Sequence, residues 1–237
     1  MTNLIKANNE HANWYNKFYK NDRTDFPSWY TFMLPELMKQ VKSDSKILEL
    51  GCGQGKGLKY IVNKSDIKEE NIFGIGQSST AIEFAKIKLP TANLKQGDIY
   101  SLEYADNTFD FILLMEVIEH LENPMEALKE AYRVLKPKGA LIISFPNYLN
   151  FPWLIVRILS EKLNRPNWIV LQPVDKIYTT LHIIELCKKT NFQFQKIIGS
   201  NYFPPIFYVY ENKKITTFFN KFKLNHLSFH PILFFKK

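Results

Sequence analysis

Apolar positions along the chain keep changing period. "KILELG" (46–51) is a short apolar run that reads as a strand, and "GKGLKYIV" (55–62) then opens a helix. The alternation continues with a strand in "NIFGIG" (71–76) and a helix in "STAIEFAKIKL" (79–89), closed by Pro90. "ANLKQGD" (92–98) is a weaker strand and "FDFILLME" (109–116) a strongly apolar one. "NPMEALKEAYRVLKPKG" (123–139) is a helix with Pro124 in its first turn and a Pro-Lys-Gly stop, and "GALIISFP" (139–146) is again a strand. Strands alternating with helices imply crossover connections and a buried parallel sheet. Residues 10–40 read as two helices, the first placing Trp14, Tyr15, Phe18 and Tyr19 at helical spacing. After Pro146 the alternation pauses. Residues 147–178, with Pro152, Pro166 and Pro173, read as an insertion or lid. A helix in 179–191 and strands in 192–199 and 229–237 complete the pattern.

Composition adds bounds rather than a direction. The 237 residues, 46% hydrophobic and 23% charged, suit one α/β domain whose core needs no staple. Its expected parts are an N-terminal helical cap (1–45), a cofactor-binding core (46–146), the lid or substrate insertion (147–178) and a basic C-terminal part of the sheet (179–237). Two distant cysteines, Cys52 and Cys187, read as reduced thiols, so a cytoplasmic location is expected. The polar start lacks the apolar segment of a signal peptide. No apolar run approaches the roughly 20 residues of a spanning helix; "FPWLIVRILS" is interrupted by Pro152 and Arg157. The net charge of +8 is uneven. Lys188–Lys237 holds nine lysines, no arginine and one acid, Glu211, while the rest of the chain balances.

"GCGQG", following the first strand, spaces glycines as G-x-G-x-G at Gly51, Gly53 and Gly55. A glycine-rich loop between strand and helix is where doubly wound sheets hold cofactors, because bare backbone permits tight turning and close approach. Lys56 stands where the dinucleotide pattern needs its third glycine, and Gly57 stands where a P-loop needs Ser or Thr, so a pyrophosphate ligand is not favoured. A tight turn without a ligand stays open on these residues alone.

"ILELGCGQG", "FGIGQSSTAIEFAK", "QGDIYSL", "NTFDFILLMEVIEHLENP" and "EALKEAYRVLKPKGALIISFPN" together resemble, in order and spacing, the motifs of class I S-adenosylmethionine-dependent methyltransferases. The resemblance is close from Lys46 to Asn147 and loose over the whole chain. It implies a Rossmann-like, doubly wound, seven-stranded sheet, mostly parallel with an antiparallel last strand, which "FHPILFFKK" fits. It implies S-adenosyl-L-methionine as cofactor, with Glu49, Gly51, Cys52, Gly53 and Gly55 at its methionine portion. Asp98 matches the acceptor of the adenine amino group, Ile99 lies at the ring, and the backbone around Met115 lies beside the amino acid end. An acid suits an exocyclic amine.

One position departs. The acid that grips both ribose hydroxyls in the family is here Gly76, and Gln77 follows as a substitute. Losing charged hydrogen bonds worth about 1.5–3 kcal/mol each could weaken binding tenfold or more. On the catalytic side, His120 is the candidate base, with a packing histidine as the alternative. Glu116, Glu119 and His120 stand at i, i+3 and i+4, so on a helical turn they would share a face. That resembles the metal-binding E-x-x-E-H of small-RNA 2′-O-methyltransferases and ubiquinone-type O-methyltransferases. "QPVDKIYTTLH" departs from the RNA enzymes' downstream pattern, and no metal is assigned. Trp14, Tyr15, Tyr19, Trp29, Tyr148, Trp153 and Trp168 are candidates for an aromatic acceptor pocket or for ordinary packing.

The expected activity is methyl transfer to an O or N of a small-molecule, lipid- or sugar-linked acceptor. The alternatives are a catalytically silent cofactor-binding or scaffold protein, motivated by Gly76, and an RNA methyltransferase, motivated by the basic tail and the Glu/Glu/His cluster. The Lys- and Phe-rich tail reads as a solvated face, as a contact with anionic membrane, or as a phosphate-tracking surface. Of these partners nucleic acid is the least expected.

Overall fold

Strand β1 (Ile47–Leu50) is buried along its whole length. Successive side chains leave a strand on opposite faces. Ile47 accordingly joins Leu113 and Ile142 in one core, while Leu48 and Leu50 join Ile112, Leu114 and Ile143 in the other. The remaining strands are β2 (Ile72–Gly76), β3 (Asn93–Gln96), β4 (Phe109–Met115), β5 (Leu135–Ser144), β6 (Gln193–Ile198) and β7 (Ile232–Lys236). They form one sheet in the order β3-β2-β1-β4-β5-β7-β6. Strands β1 to β5 pair in parallel, and β7 inserts antiparallel between β5 and β6. The doubly wound, mostly parallel sheet expected from the sequence is therefore present, with "FHPILFFKK" supplying the reversed strand. This computed structural model describes residues 11–21, 29–163, 173–202 and 213–237.

Helices cover both faces. One core is closed by Met33 and Leu37 of α2 (Trp29–Met38), Leu58 and Ile61 of α3 (Lys56–Lys64), and Ile82 and Ala85 of α4 (Ser79–Lys88). Helix α1 (residues 11–18) precedes them. The opposite core is closed by Leu128, Ala131 and Val134 of α5 (Pro124–Val134) and by Ile183 and Cys187 of α7 (Thr180–Lys189). Each fully buried Leu or Ile stabilises by roughly 1.5–3 kcal/mol, which is why both sheet faces read as apolar runs.

Helix α5 ends at Val134, not at Gly139 as the pattern predicts. Pro137 disfavours helical backbone at Lys136. Leu135 is already extended, Lys138 takes a left-handed turn with φ of 65°, and β5 starts at Leu135. Residues 147–163 contain a regular helix, α6 (Phe151–Lys162), capped by Asn150, whose side chain accepts from the Trp153 N–H. Pro152 falls in its first turn, where a missing N–H is harmless. The last helix is α8 (Lys213–Lys221). Among the described residues no helix is long and apolar enough to cross a membrane.

The strand order fixes where a site can form. The chain runs outward from β1 through β2 and β3, then returns to place β4 on the other side of β1. The loops after β1 and β4 therefore separate at the carboxyl end of the sheet and leave a crevice.

Candidate active site

Gly51, Gly53 and Gly55 have φ of 79°, 49° and 71°. Residues with a Cβ rarely occupy that left-handed region. At Gly51 a Cβ would also stand 2.4 Å from Val117 Cγ2. The Gly51 and Cys52 N–H groups donate to the Ile75 carbonyl at 2.7 and 3.0 Å, tying the loop to the end of β2. The bare backbone thus serves the turn and its close packing.

A cavity of about 480 Å³ opens beside this loop. Its walls are the carboxyl ends of four neighbouring strands: Gly51 and Gly53 after β1, Gly76 and Gln77 after β2, Asp98 and Ile99 after β3, and Glu116 and His120 after β4. Tyr15 and Tyr19 close it from the N-terminal side, and Pro173 and Val174 from the far side. Of the residues singled out from sequence, Glu49, Cys52, Gly55 and Met115 lie behind the wall rather than on it. Gln96, Gly97, Tyr100 and Glu122 line the cavity and were missed. Gln96 and Gly97 could have been found, since Gln96 ends β3 opposite the Gly76 that ends β2, and Gly97 follows it.

Several contacts hold the walls. Asn16 Oδ1 accepts from the Ser78 hydroxyl at 2.7 Å and the Thr80 N–H at 3.3 Å, pinning α1 to the start of α4. Asp98 Oδ1 accepts from the Tyr100 N–H at 2.9 Å. Arg133 anchors the following loop by donating to the carbonyls of Leu102 and Tyr104. Gln96 Nε2 donates to the Gln77 carbonyl at 3.0 Å.

The two glycines of "GIG" differ. At Gly74 a Cβ would come within 2.8 Å of Cys52 Sγ and of Leu94, so packing excludes a side chain. At Gly76 the nearest atom to a Cβ is Ile82 Cδ1 at 3.4 Å, an ordinary contact. Nothing in the fold requires glycine there.

Glu49 lies beneath the loop, 2% exposed. The Tyr30 hydroxyl donates to its Oε1, while Oε2 has no hydrogen-bond partner. Burial lifts its pKa to about 7, with the Tyr30 bond acting the other way. An unsatisfied buried carboxylate oxygen is expensive, so the site is suited to a donor arriving with a ligand.

At the end of β4 the backbone departs from a helical turn. Glu116 has φ of 56°. Its Oε1 accepts from the Ser144 hydroxyl at 2.6 Å, and its Oε2 faces His230 Nε2 at 3.5 Å. Burial raises its pKa to about 8. Glu119 is 1% exposed, with Oε2 unpartnered, and burial followed by the Glu116 charge holds it well above the usual carboxylate range. The Glu/Glu/His face expected from a continuous helix is therefore not formed. Among the described residues no group of three His, Cys, Asp or Glu side chains could hold a metal.

His120 Nδ1 lies 2.7 Å from the Val174 carbonyl, which can only accept. Nδ1 must then carry the proton, leaving Nε2 as an acceptor 3.4 Å from Glu119 Oε1. Burial pushes the imidazole pKa below its ordinary value, favouring the neutral form.

The aromatic candidates separate. Tyr15 and Tyr19 line the cavity. Tyr148 and Trp153 pack with Phe229 in a cluster of their own, and Trp14 stacks on Phe18. Trp168 and the Trp29 side chain lie outside the described residues.

Comparison with known proteins bears on what such a cavity holds. The methyltransferase domain family matches residues 48–143, which contain the glycine loop and the ends of β1 to β4. A ubiquinone biosynthesis O-methyltransferase of Rickettsia bellii is 30% identical over 166 residues, covering 68% of this chain and 66% of that protein. The chain belongs to the class I S-adenosylmethionine-dependent methyltransferases. An uncharacterised methyltransferase of Schizosaccharomyces pombe is 33% identical over 118 residues, 44% of this chain and 40% of that one. The chain spans between 35% and 40% of the length of several curated relatives it matches. The crystal structure of an S-adenosylmethionine-dependent methyltransferase from Thermotoga maritima shares the fold, with a TM-score of 0.65 at 21% identity over 88% of this chain and 89% of that one.

The residues present fit that family's cofactor. The methyltransferase has an unpartnered buried carboxylate oxygen under a glycine-rich loop, and an acid and an aliphatic side chain side by side after β3.

The raised carboxyls make stability depend on pH. Glu49 and Glu116 hold protons in the fold that they release near 4.5 when unfolded. The folded state thus binds more protons between these values. The stabilisation is complete below the unfolded pKa and is lost as pH rises through about 7 to 8. The melting temperature of the ligand-free methyltransferase should fall between about pH 5 and pH 8 and level off above that, by on the order of 1–3 kcal/mol of stability per group. Glu116→Gln should flatten that slope; a melting temperature level across the range would contradict the assignment.

Proposed function

We propose that this methyltransferase domain transfers a methyl group to an oxygen or nitrogen of a small acceptor, including lipid- or sugar-linked ones. The observation that carries the proposal is one cavity with the glycine loop, Gln77 and Asp98 on one side and the His120 imidazole on the other. Bound S-adenosylmethionine supplies an electrophilic methyl carbon on positive sulfur, so catalysis rests largely on aligning a nucleophile. The backbone of Gly51 and Gly53, with Glu49 beneath, would hold the amino acid end. Gln77 would meet the ribose, and Asp98 and Ile99 the adenine. Tyr15 and Val174 line the opposite wall.

His120 is the group in position to take a proton from an acceptor hydroxyl or ammonium through Nε2. Its Nδ1–H is held by the Val174 carbonyl, and Nε2 lies 3.4 Å from Glu119 Oε1. Among the described residues no Lys or Arg lines the cavity, which supports a neutral or cationic acceptor over a polyanionic one. The relatedness to ubiquinone biosynthesis O-methyltransferases supports a hydroxyl. Cys52 and Cys187 are free and buried, which suits a cytoplasmic setting.

The test is transfer of labelled methyl to panels of phenols, alcohols and amines. His120→Gln should lower kcat by about 10²–10⁴-fold, the usual share of a general base, while changing S-adenosylhomocysteine affinity by less than about threefold. A variant with the natural rate would remove His120 from the chemistry. A second reading, a silent cofactor-binding protein, is favoured by Gly76 alone.

A further inference from the structure

Helix α6 is apolar on two sides: Trp153, Leu154 and Val156 pack with Tyr148 and Phe229, and a second apolar stripe faces out. Its inward positions are Trp153, Arg157 and Ser160, each under 10% exposed. Its outward positions are Phe151, Ile155, Ile158 and Leu159, with Leu163 just beyond, exposed by 40–66%. The spacing is i, i+4, i+7, i+8 and i+12, which is one continuous stripe. A surface helix normally carries one apolar stripe and buries it; α6 carries a second that faces out, while a charge, Arg157, is buried.

The inward charge is built in. Arg157 Nη1 donates to Asp175 Oδ2 at 2.9 Å and to the Tyr148 hydroxyl at 3.0 Å, and Nε donates to Glu161 at 2.8 Å. Rotating α6 to hide its leucines and isoleucines would strand these groups. The orientation is therefore enforced, and Asp175 adjoins Val174 of the cavity wall.

A second outward apolar face lies on α8. Phe218 and Phe222, four residues apart with ring centroids at 4.7 Å, are 56% and 57% exposed and are flanked by exposed Lys221 and Lys223. Both helices contact Tyr202, α6 through its capping Asn150 and α8 through Phe219. Trp153 of α6 stacks on Phe229 at 4.0 Å, and Asn150 at its cap donates to the carbonyls of Tyr202 and Leu227. Phe219 of α8 stacks on Tyr202 at 4.4 Å.

We propose that the outer faces of α6 and α8 dock on an anionic lipid bilayer. Large aliphatic and Phe side chains would enter the headgroup boundary, and lysines beside them would meet lipid phosphates. Charge selects this occupant: the exposed Lys221 and Lys223 stand beside the outward Phe218 and Phe222 of α8. Docking would bring the Val174 wall of the cavity towards the membrane through the Arg157–Asp175 pair. The inference rests on surface chemistry and does not need the transfer activity to be correct.

The test is flotation of the full chain with vesicles of phosphatidylglycerol and phosphatidylcholine, beside vesicles of phosphatidylcholine alone. The expected result is binding to the anionic vesicles that weakens as salt rises. Ile155→Glu with Leu159→Glu should lower partitioning at least tenfold while leaving S-adenosylhomocysteine affinity and melting temperature unchanged, which shows that the fold is kept. Lys221→Glu with Lys223→Glu should lower it on anionic vesicles only. Absence of binding at low salt, or binding indifferent to both pairs, overturns the proposal. A dimer in light scattering that the Ile155/Leu159 pair dissociates would also overturn it, by assigning the face to a second copy of the chain.

Discussion

Gly76→Asp is expected to bind S-adenosylhomocysteine about tenfold more tightly than the natural chain. A Cβ at this position meets nothing closer than 3.4 Å, so the side chain enters without moving Ile82. Gly76 lines the cavity, and its carboxylate would be presented beside Gln77, on the side assigned to the ribose. Hydrogen bonds to a charged group contribute roughly 1.5–3 kcal/mol each, and desolvation of the carboxylate offsets part of that, leaving about the 1.4 kcal/mol of one decade. Calorimetric titration of both proteins separates the readings. Micromolar binding by the natural chain, tightened by aspartate, means Gln77 and backbone already serve. Binding by the variant alone means the natural chain has lost its ribose grip, and the silent reading gains. Binding by neither removes S-adenosylmethionine from this cavity. A variant that folds normally yet binds more weakly would show that Gln77 needs the space.

Gly51→Ala should do the opposite, unfolding the site rather than improving it. The residue has φ of 79°, and an added Cβ would stand 2.4 Å from Val117 Cγ2. Left-handed backbone costs about 1–2 kcal/mol for a residue with a Cβ, and overpacking adds about 1–3 kcal/mol, for a loss of about 2–5 kcal/mol in denaturant unfolding. Gly51→Ala with Val117→Ala relieves the clash but not the dihedral, so it should recover only part of the loss. Gly76→Ala is the matched control and should cost little. Equal effects at Gly51 and Gly76 would refute the distinction between a glycine that packing demands and one that it merely tolerates.

That distinction separates what could be read along the chain from what could not. The order of strands and helices was legible because both faces of the sheet are covered, so β1, β4 and the second half of β5 show as predominantly apolar runs. The glycine loop was legible because left-handed backbone leaves a mark in residue type. Asp98, His120 and Gln77 line one cavity because strand ends in this fold converge on one crevice. The conformation of Glu116 was not legible. Its left-handed turn is stabilised by Ser144, 28 residues later on the neighbouring strand, and this breaks the helical spacing that would have joined it to Glu119 and His120. The state of His120 was not legible either, since the Val174 carbonyl that fixes its tautomer lies 54 residues away. Nor was the direction in which α6 points. Its apolar stripe is plain in "FPWLIVRILS", but a stripe has no inside until Asp175 and Tyr148 claim Arg157. The sequence by itself determined the periods, the turns and the family. Tertiary structure decided which of two faces meets water and which nitrogen of His120 carries the proton, because both depend on partners distant in the chain.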